Sequence, residues 1–414
     1  MKNRLSKKAV KFRKTISPVR EIMNFADPDF IKKLGLDPAD LVSFAGGWVN
    51  HTAPKELMAA YAEIASDDQL FHQSGAYSPT LGSREGRAAI CAFEEHLYGL
   101  SDLQPTQVAV GQSSTQLTSA LFQALLDPGD HLLLLDPTYC NYPMQLLTSL
   151  EAHILRFPVL DTNTWTYRAD ELIDELKQFV LKNEPKMILL VAPDNPTSQV
   201  LSTEFVSEIT STAEKVGAFV VVDFAYKPIV FDGGYPDYFS WAPRDNFLSI
   251  HSNSKWTKNL GRRMGWVEAP EFIIEALESI MNSTILCPDS LHQMAFARFV
   301  EKSVQSDTLR SYVQETIQRY HNAARVTVSA IKEHLRCPVL TPQGGIYTVI
   351  PVGQDGASYV DRVLRSTGVL FVPGWGFGST LRNGVRISYG PLVNDTDTIT
   401  RGLTRVGETI HDGD

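Results

Sequence analysis

Cysteine is scarce in this chain. The four in 414 residues, Cys91, Cys140, Cys287 and Cys337, stand far apart with no CxxC pair and no His-rich neighbour, so neither a disulfide framework nor a thiolate metal site is expected. Long apolar runs are missing as well: no stretch approaches the roughly 20 residues that cross a bilayer, and no membrane association is expected. Positive charge is in deficit, with 38 Lys and Arg against 47 Asp and Glu and a net charge of −9, which gives no general attraction to nucleic acid or anionic lipid. The first twenty residues run against that balance, with eight Lys or Arg and no acid. They lack the apolar run of a secretory signal and read as a solvated arm, and the cytoplasm is the expected compartment. There is no internal repeat and no low-complexity tract.

What is present is enough apolar material, 43% of 414 residues, to bury a large core divided between two domains. Residues 16–23 read as a short helix with Ser17 as cap and Pro18 at its first position. Leu41 to Trp48 reads as a strand ending in the pair Gly46-Gly47, where backbone can approach a ligand or simply turn. From Val108 onward strand-like and helix-like stretches alternate. Strands are expected at 108–110, 131–135, 152–157, 186–192, 218–222, 247–251 and 264–268, with helices between them, which predicts an α/β fold with a mainly parallel sheet of the seven-stranded type between helices. The stretch from Ser290 to Leu335 contains neither Pro nor Gly and reads as long bridging helix. The remaining chain mixes strands at 347–352 and 384–389 with helices, as in a smaller α+β domain. The expected division is an N-terminal arm and part of the small domain over 1–70, a large domain over 71–290, and the bridging helix with the small C-terminal domain over 291–414.

Four pieces carry candidate chemistry. Gly111-Gln-Ser-Ser-Thr115 lies at a strand-to-helix turn, where helix N-terminal amides and the hydroxyls of Ser113, Ser114 and Thr115 suit a phosphate and serve equally as ordinary caps. Asp223 ends a very apolar strand, where a carboxylate pairs with a protonated ring nitrogen in a crevice or else caps a helix or joins a salt bridge. Asn195, in Ala192-Pro-Asp-Asn-Pro-Thr197, can donate to a phenolic oxygen, although Asn-Pro is also a common turn. The fourth piece is Ser252-Asn-Ser-Lys255 followed by Gly261-Arg-Arg263. A lysine amine forms a Schiff base with an aldehyde, and nearby hydroxyls with an arginine hold an attached phosphate, which points to pyridoxal 5'-phosphate.

These residues resemble the class I/II aminotransferases of pyridoxal phosphate fold type I, from about Ile16 to the C-terminal helix. The family pattern Ser-x-Ser-Lys, five residues, Gly-x-Arg-x-Gly stands here as 252–265. The resemblance implies that Lys255 is the Schiff-base lysine, that Ser252 and Arg263 hold phosphate, and that Tyr139 in Asp136-Pro-Thr-Tyr139 stacks on the ring. It further implies that Asn195 and Tyr226 bond the ring oxygen, that Asp223 pairs with the pyridinium, and that Arg386 in Asn383-Gly-Val-Arg386 grips the substrate α-carboxylate. Ser17-Pro-Val-Arg20 with Ser43-Phe-Ala-Gly-Gly47 is similar to the aminoadipate/kynurenine branch, in which Gly47 would touch substrate and Arg20 help choose it. Ala76-Tyr77-Ser-Pro-Thr-Leu-Gly82 resembles the loop whose tyrosine reaches the neighbouring subunit's phosphate, which implies a homodimer with shared sites. Two departures stand out: Ser113 where the phosphate loop often has Gly or Ala, and Ser198 where Gly commonly follows Asn-Pro-Thr.

The expected activity is transfer of the α-amino group of an amino acid to a 2-oxo acid, with Lys255 as covalent and acid/base group and Asp223 making the ring an electron sink. The competing activities are elimination, cyclisation or oxidation on the same cofactor. A ligand-sensing regulator is a further alternative, against which stand the acidic charge and the roughly forty residues before Ser43, too few for a winged helix-turn-helix. For side-chain choice Arg20, Asp289, Trp48 and Trp375 are the candidates.

Overall fold

The computed structural model describes residues 5–14, 28–33, 35–149, 151–232 and 234–411. The expected helix over 16–23, and Arg20 with it, lies outside the described residues. The main sheet has seven strands, β2 (Val108–Gly111), β3 (His131–Asp136), β4 (His153–Pro158), β5 (Met187–Val191), β6 (Phe219–Phe224), β7 (Phe247–Ser252) and β8 (Gly265–Glu268), in the order β2-β8-β7-β6-β5-β3-β4. Runs such as Met187-Ile-Leu-Leu-Val191 are buried along their whole length, as a parallel strand covered on both faces requires. One face packs on helices Ser114–Leu125 and Glu271–Thr284, the other on helices Ile173–Asn183 and Thr203–Lys215.

The single antiparallel member is β8, which pairs with both β2 and β7. It enters through Gly265, opposite Gly111 and Ser252. A Cβ there would lie 2.6 Å from the His251 carbonyl oxygen and 2.7 Å from the Ser114 nitrogen, so only glycine lets the β8 entry nest against the turn that starts the Ser114 helix.

Both chain ends build a second core. Strand β1 (Val42–Ser43) pairs in parallel with β10 (Val369–Leu370), beside an antiparallel sheet of β9 (Tyr347–Pro351), β12 (Gly384–Ser388) and β11 (Val372–Pro373). The strand expected from Leu41 to Trp48 is therefore only two residues long. Beyond Ser43 the chain bonds through Phe44, which donates to Leu370 O at 2.8 Å and accepts from Ser388 N at 2.8 Å, and continues as extended backbone toward the main sheet. The helix expected across 290–335 breaks into Ser290–Gln305 and Thr308–Ala330. Asp307 at the break has φ of +54°, a left-handed conformation that Asp tolerates better than most residues, so the interruption needs neither Pro nor Gly. Helix Lys55–Ser66 packs with Arg84–Tyr98 and Ser290–Gln305 around Trp256 and Trp266.

Behind the sheet lies a buried charged network. Lys227 Nζ is 2.5 Å from Glu94 Oε2, and His251 lies between Glu94 at 3.4 Å and Glu268 at 3.2 Å. Burial and the Glu268 carboxylate push Glu94 up, while Glu268, despite the same burial, is held down by His251 and Lys227. The network joins β7, β8, the turn after β6 and helix Arg84–Tyr98. Among the described residues no helix is long and apolar enough to cross a membrane.

Candidate active site

The register of the parallel strands sets the site. Val191 pairs with Asp223, and Asp223 with Ile250, so β5, β6 and β7 finish at one edge, and Asn195, Asp223, Tyr226, Ser252 and Lys255 gather there from three separate turns. They line a cavity of about 660 Å³, closed by Gly47 and Trp48 from the N-terminal segment and by Tyr347 and Arg386 from the antiparallel sheet. A crevice at the C-terminal strand ends is where an open α/β sheet places its ligand.

Lys255 projects into this cavity, and its Nζ donates to Gly47 O at 2.5 Å. Burial first, then the guanidinium groups of Arg386 and Arg263, lower its proton affinity to a pKa of about 8, with Asp223 acting the other way. An amine so placed is a nucleophile and proton acceptor near neutral pH. Asp223 is buried, and burial pushes its carboxyl up. Tyr142, Ala225 and Lys255 oppose that shift: the Tyr142 hydroxyl donates to Oδ2 at 2.7 Å and the Ala225 N–H to Oδ1 at 2.9 Å.

The other end of the cavity is rich in donors. Ser114 and Thr115 open a helix there, beside Ser252, Ser254 and Arg263. Arg263, at φ of +53°, donates to Leu260 O at 2.7 Å and reaches Ser254 Oγ at 3.5 Å. Ser113 is placed differently from its neighbours. It is buried and caps the helix, accepting from Gln116 N at 3.3 Å, and its side chain is not among those lining the cavity. Tyr77 is 83% exposed and lies away from the cavity of its own chain.

Arg386 reaches the cavity from β12. Its Nη1 donates to Asn195 Oδ1 at 2.9 Å and its Nη2 to Ala45 O at 2.9 Å, while its buried Nε has no hydrogen-bond partner. Tyr139 lines the cavity and meets Tyr142 edge-on, with ring centroids 5.3 Å apart. Tyr226 shares a 2.7 Å hydrogen bond with Tyr347. Ser198 does sit where glycine is favoured, at φ of +57°, and its side chain holds the turn: Oγ accepts from Tyr347 N at 3.1 Å. Next to Asn195, Asp194 is pushed by burial to a pKa of about 7, against donors from Thr197 and Thr138.

Sequence reasoning missed Tyr142 and Tyr347, whose positions in a helix and a strand read as core aromatics. It also proposed Asp289 as a selector. Asp289 instead caps helix Ser290–Gln305, accepting from His292 N at 2.5 Å, and of the two tryptophans only Trp48 lines the cavity.

A model of the family described as aminotransferase class I and II matches residues 40–405. The aspartate aminotransferase of Pyrococcus horikoshii is 25% identical over 355 residues, 84% of this chain and 86% of its own. The L-glutamine–4-(methylsulfanyl)-2-oxobutanoate aminotransferase of Bacillus subtilis is 26% identical over 374 residues, 89% of each. The aspartate aminotransferase of Thermus thermophilus solved with maleate has a TM-score of 0.83 at 21% identity, over 99% of this chain and 100% of that one, a likeness of fold. With the match spanning every strand of the main sheet and every turn that feeds the cavity, the chain belongs to the aminotransferase class I and II family.

Proposed function

We propose that this enzyme transfers the α-amino group of an amino acid to a 2-oxo acid, with pyridoxal 5'-phosphate held in the cavity around Lys255. The observation that carries the reading is a lysine amine of lowered proton affinity aimed into a cavity that has a carboxylate and an arginine with an unpartnered N–H on its walls. The donor set fits the cofactor: the helix start at Ser114 and Thr115 with Ser252 and Arg263 for the phosphate, Asp223 for the ring nitrogen, Tyr139 for the ring face, and Asn195 and Tyr226 for the ring oxygen. When bound, pyridoxal phosphate supplies an aldehyde for covalent attachment and a ring that takes up the electron pair left at the substrate Cα.

The chain's own residues do the rest. Arg386 receives the α-carboxylate, with its free Nε–H as one donor, and fixes which bond at Cα is presented. Asn195, by accepting from Nη1, fixes the orientation of the guanidinium. Lys255 Nζ takes the Cα proton and returns it, a task matched to an amine near pKa 8. Tyr142 and Ala225 donate to Asp223 and favour its anionic form against the pull of burial, so a protonated partner is favoured beside it.

The aminoadipate/kynurenine branch, with Arg20 and Gly47 as substrate contacts, remains part of this proposal. So do the cytoplasmic setting, the division at about residues 70 and 290, and a homodimer whose Tyr77 serves the neighbouring site. The exposure of Tyr77 supports the last of these. In the test, the holoenzyme is mixed with single amino acids and its visible band followed. Transfer predicts a band that bleaches with the donor alone and returns only on addition of a 2-oxo acid. A band that recovers without an oxo acid assigns elimination, cyclisation or oxidation instead.

A further inference from the structure

Tyr347 stands between the part of the cavity that receives a carboxylate and the part that receives the ring oxygen. Its hydroxyl is 2.7 Å from that of Tyr226, the two rings meeting edge-on at 5.7 Å and 79°. The guanidinium of Arg386 lies over its ring at 4.3 Å. A Cβ on Gly47 would come within 3.1 Å of its hydroxyl oxygen, and its backbone N–H is fixed on Ser198 Oγ. The side chain is buried and has little room to turn.

A phenol carries one proton and can also accept. If Tyr226 gives its proton to an acceptor in the cavity, its bond with Tyr347 survives only with Tyr347 as donor. We propose that Tyr347 is a positioning residue that aims the Tyr226 proton at the phenolic oxygen of pyridoxal phosphate, forming a chain of donors from Tyr347 through Tyr226 to that oxygen. The inference rests on the cofactor reading above. Each hydrogen bond in such a chain polarises the next, so the chain draws negative charge off the oxygen and loosens the proton held on the linked Lys255 nitrogen beside it. The other titratable or charged groups facing the two phenols, among the described residues, are Arg386, Lys255, Tyr139, Cys140 and Tyr389, and the test leaves all of them in place.

The experiment is a spectrophotometric pH titration of the cofactor band in the holoenzyme, run for wild type, Tyr347→Phe, Tyr226→Phe and the double variant. Tyr347→Phe is expected to raise the midpoint by about 0.3 to 1 pH unit and Tyr226→Phe to raise it further. Adding Tyr347→Phe to Tyr226→Phe should then shift nothing more, because the single change acts through the missing hydroxyl. An unmoved midpoint in Tyr347→Phe, or an equal shift with and without the Tyr226 hydroxyl, overturns the relay while leaving the cofactor in place. A wild-type protein that forms no band with pyridoxal phosphate overturns the cofactor reading and the relay together.

Discussion

Two lysines, Lys227 and Lys255, leave the C-terminal ends of neighbouring strands and are withdrawn from bulk water, yet they meet opposite surroundings. Lys227 turns behind the sheet and is 1% exposed. Its Nζ bonds Glu94 at 2.5 Å and lies over the rings of Tyr98 at 4.1 Å, Phe224 at 4.8 Å and Phe239 at 5.7 Å. Lys255 turns into the cavity, where its hydrogen bond among the described residues goes to a neutral carbonyl and two guanidinium groups bear on it. Burial and the two guanidinium groups weaken the hold of Lys255 on its proton, whereas Lys227 is engaged in a charge-assisted hydrogen bond with Glu94. The first lysine is therefore a tie between elements and the second a reactive amine. Three residues decide the difference: Glu94 on one side, Arg386 and Arg263 on the other.

The comparison breaks most sharply at the reactive amine. Lys255→Ala should lower turnover by about four orders of magnitude or more and remove the visible band of the bound cofactor. Chain stability should be unchanged or higher, since a poorly solvated amine is lost. Turnover within tenfold of wild type, with the band retained, would move the covalent role to another residue.

Next in size is the tie. Lys227→Met takes from Glu94 its donor at 2.5 Å and leaves a buried carboxyl that burial and Glu268 already push toward its neutral form, a loss of about 1 to 3 kcal/mol. The urea midpoint should fall accordingly, and adding Glu94→Gln should recover part of the loss. The cofactor band should persist in whatever fraction folds. A midpoint equal to wild type would mean that the contacts of the Lys227 amine contribute nothing net to stability and that it is no tie.

Lys255 and Lys227 also differ in how visible they were beforehand. Lys255 sits in a local pattern of Ser, Lys, Gly and Arg, and Asn195, Asp223 and Arg386 lie in similarly short motifs at strand ends. Chemistry confined to one turn leaves a trace in consecutive residues. The sheet was legible for the same reason, because seven apolar runs of strand length alternate with helical ones. Glu94 and Lys227 meet across 133 positions, Tyr142 and Asp223 across 81, and Tyr226 and Tyr347 across 121. A tyrosine in Tyr347-Thr-Val-Ile gives no sign of what its hydroxyl will touch. The break at Asp307 escaped because the residue adopts a backbone conformation that Pro and Gly rules do not cover, and the short strand at Val42–Ser43 because the apolar residues after it are buried as coil.

The smallest expected effect concerns pH. With the cofactor removed, an amine-reactive reagent should modify Lys255 at a rate that rises with pH and reaches half its maximum near pH 8. Lys227, enclosed with its carboxylate, should stay unmodified until the chain unfolds. The same lowered proton affinity has a stability consequence with a definite sign. Between pH 8 and the ordinary lysine value of 10.5, the folded chain has released a proton from Lys255 that the unfolded chain still holds. Stability of the apoprotein should therefore climb as pH rises through that window, and Lys255→Met should lack this component of the climb. Half-modification of Lys255 near pH 10.5 would show that the cavity solvates the amine as bulk water does, and the contrast with Lys227 would then lie in access alone.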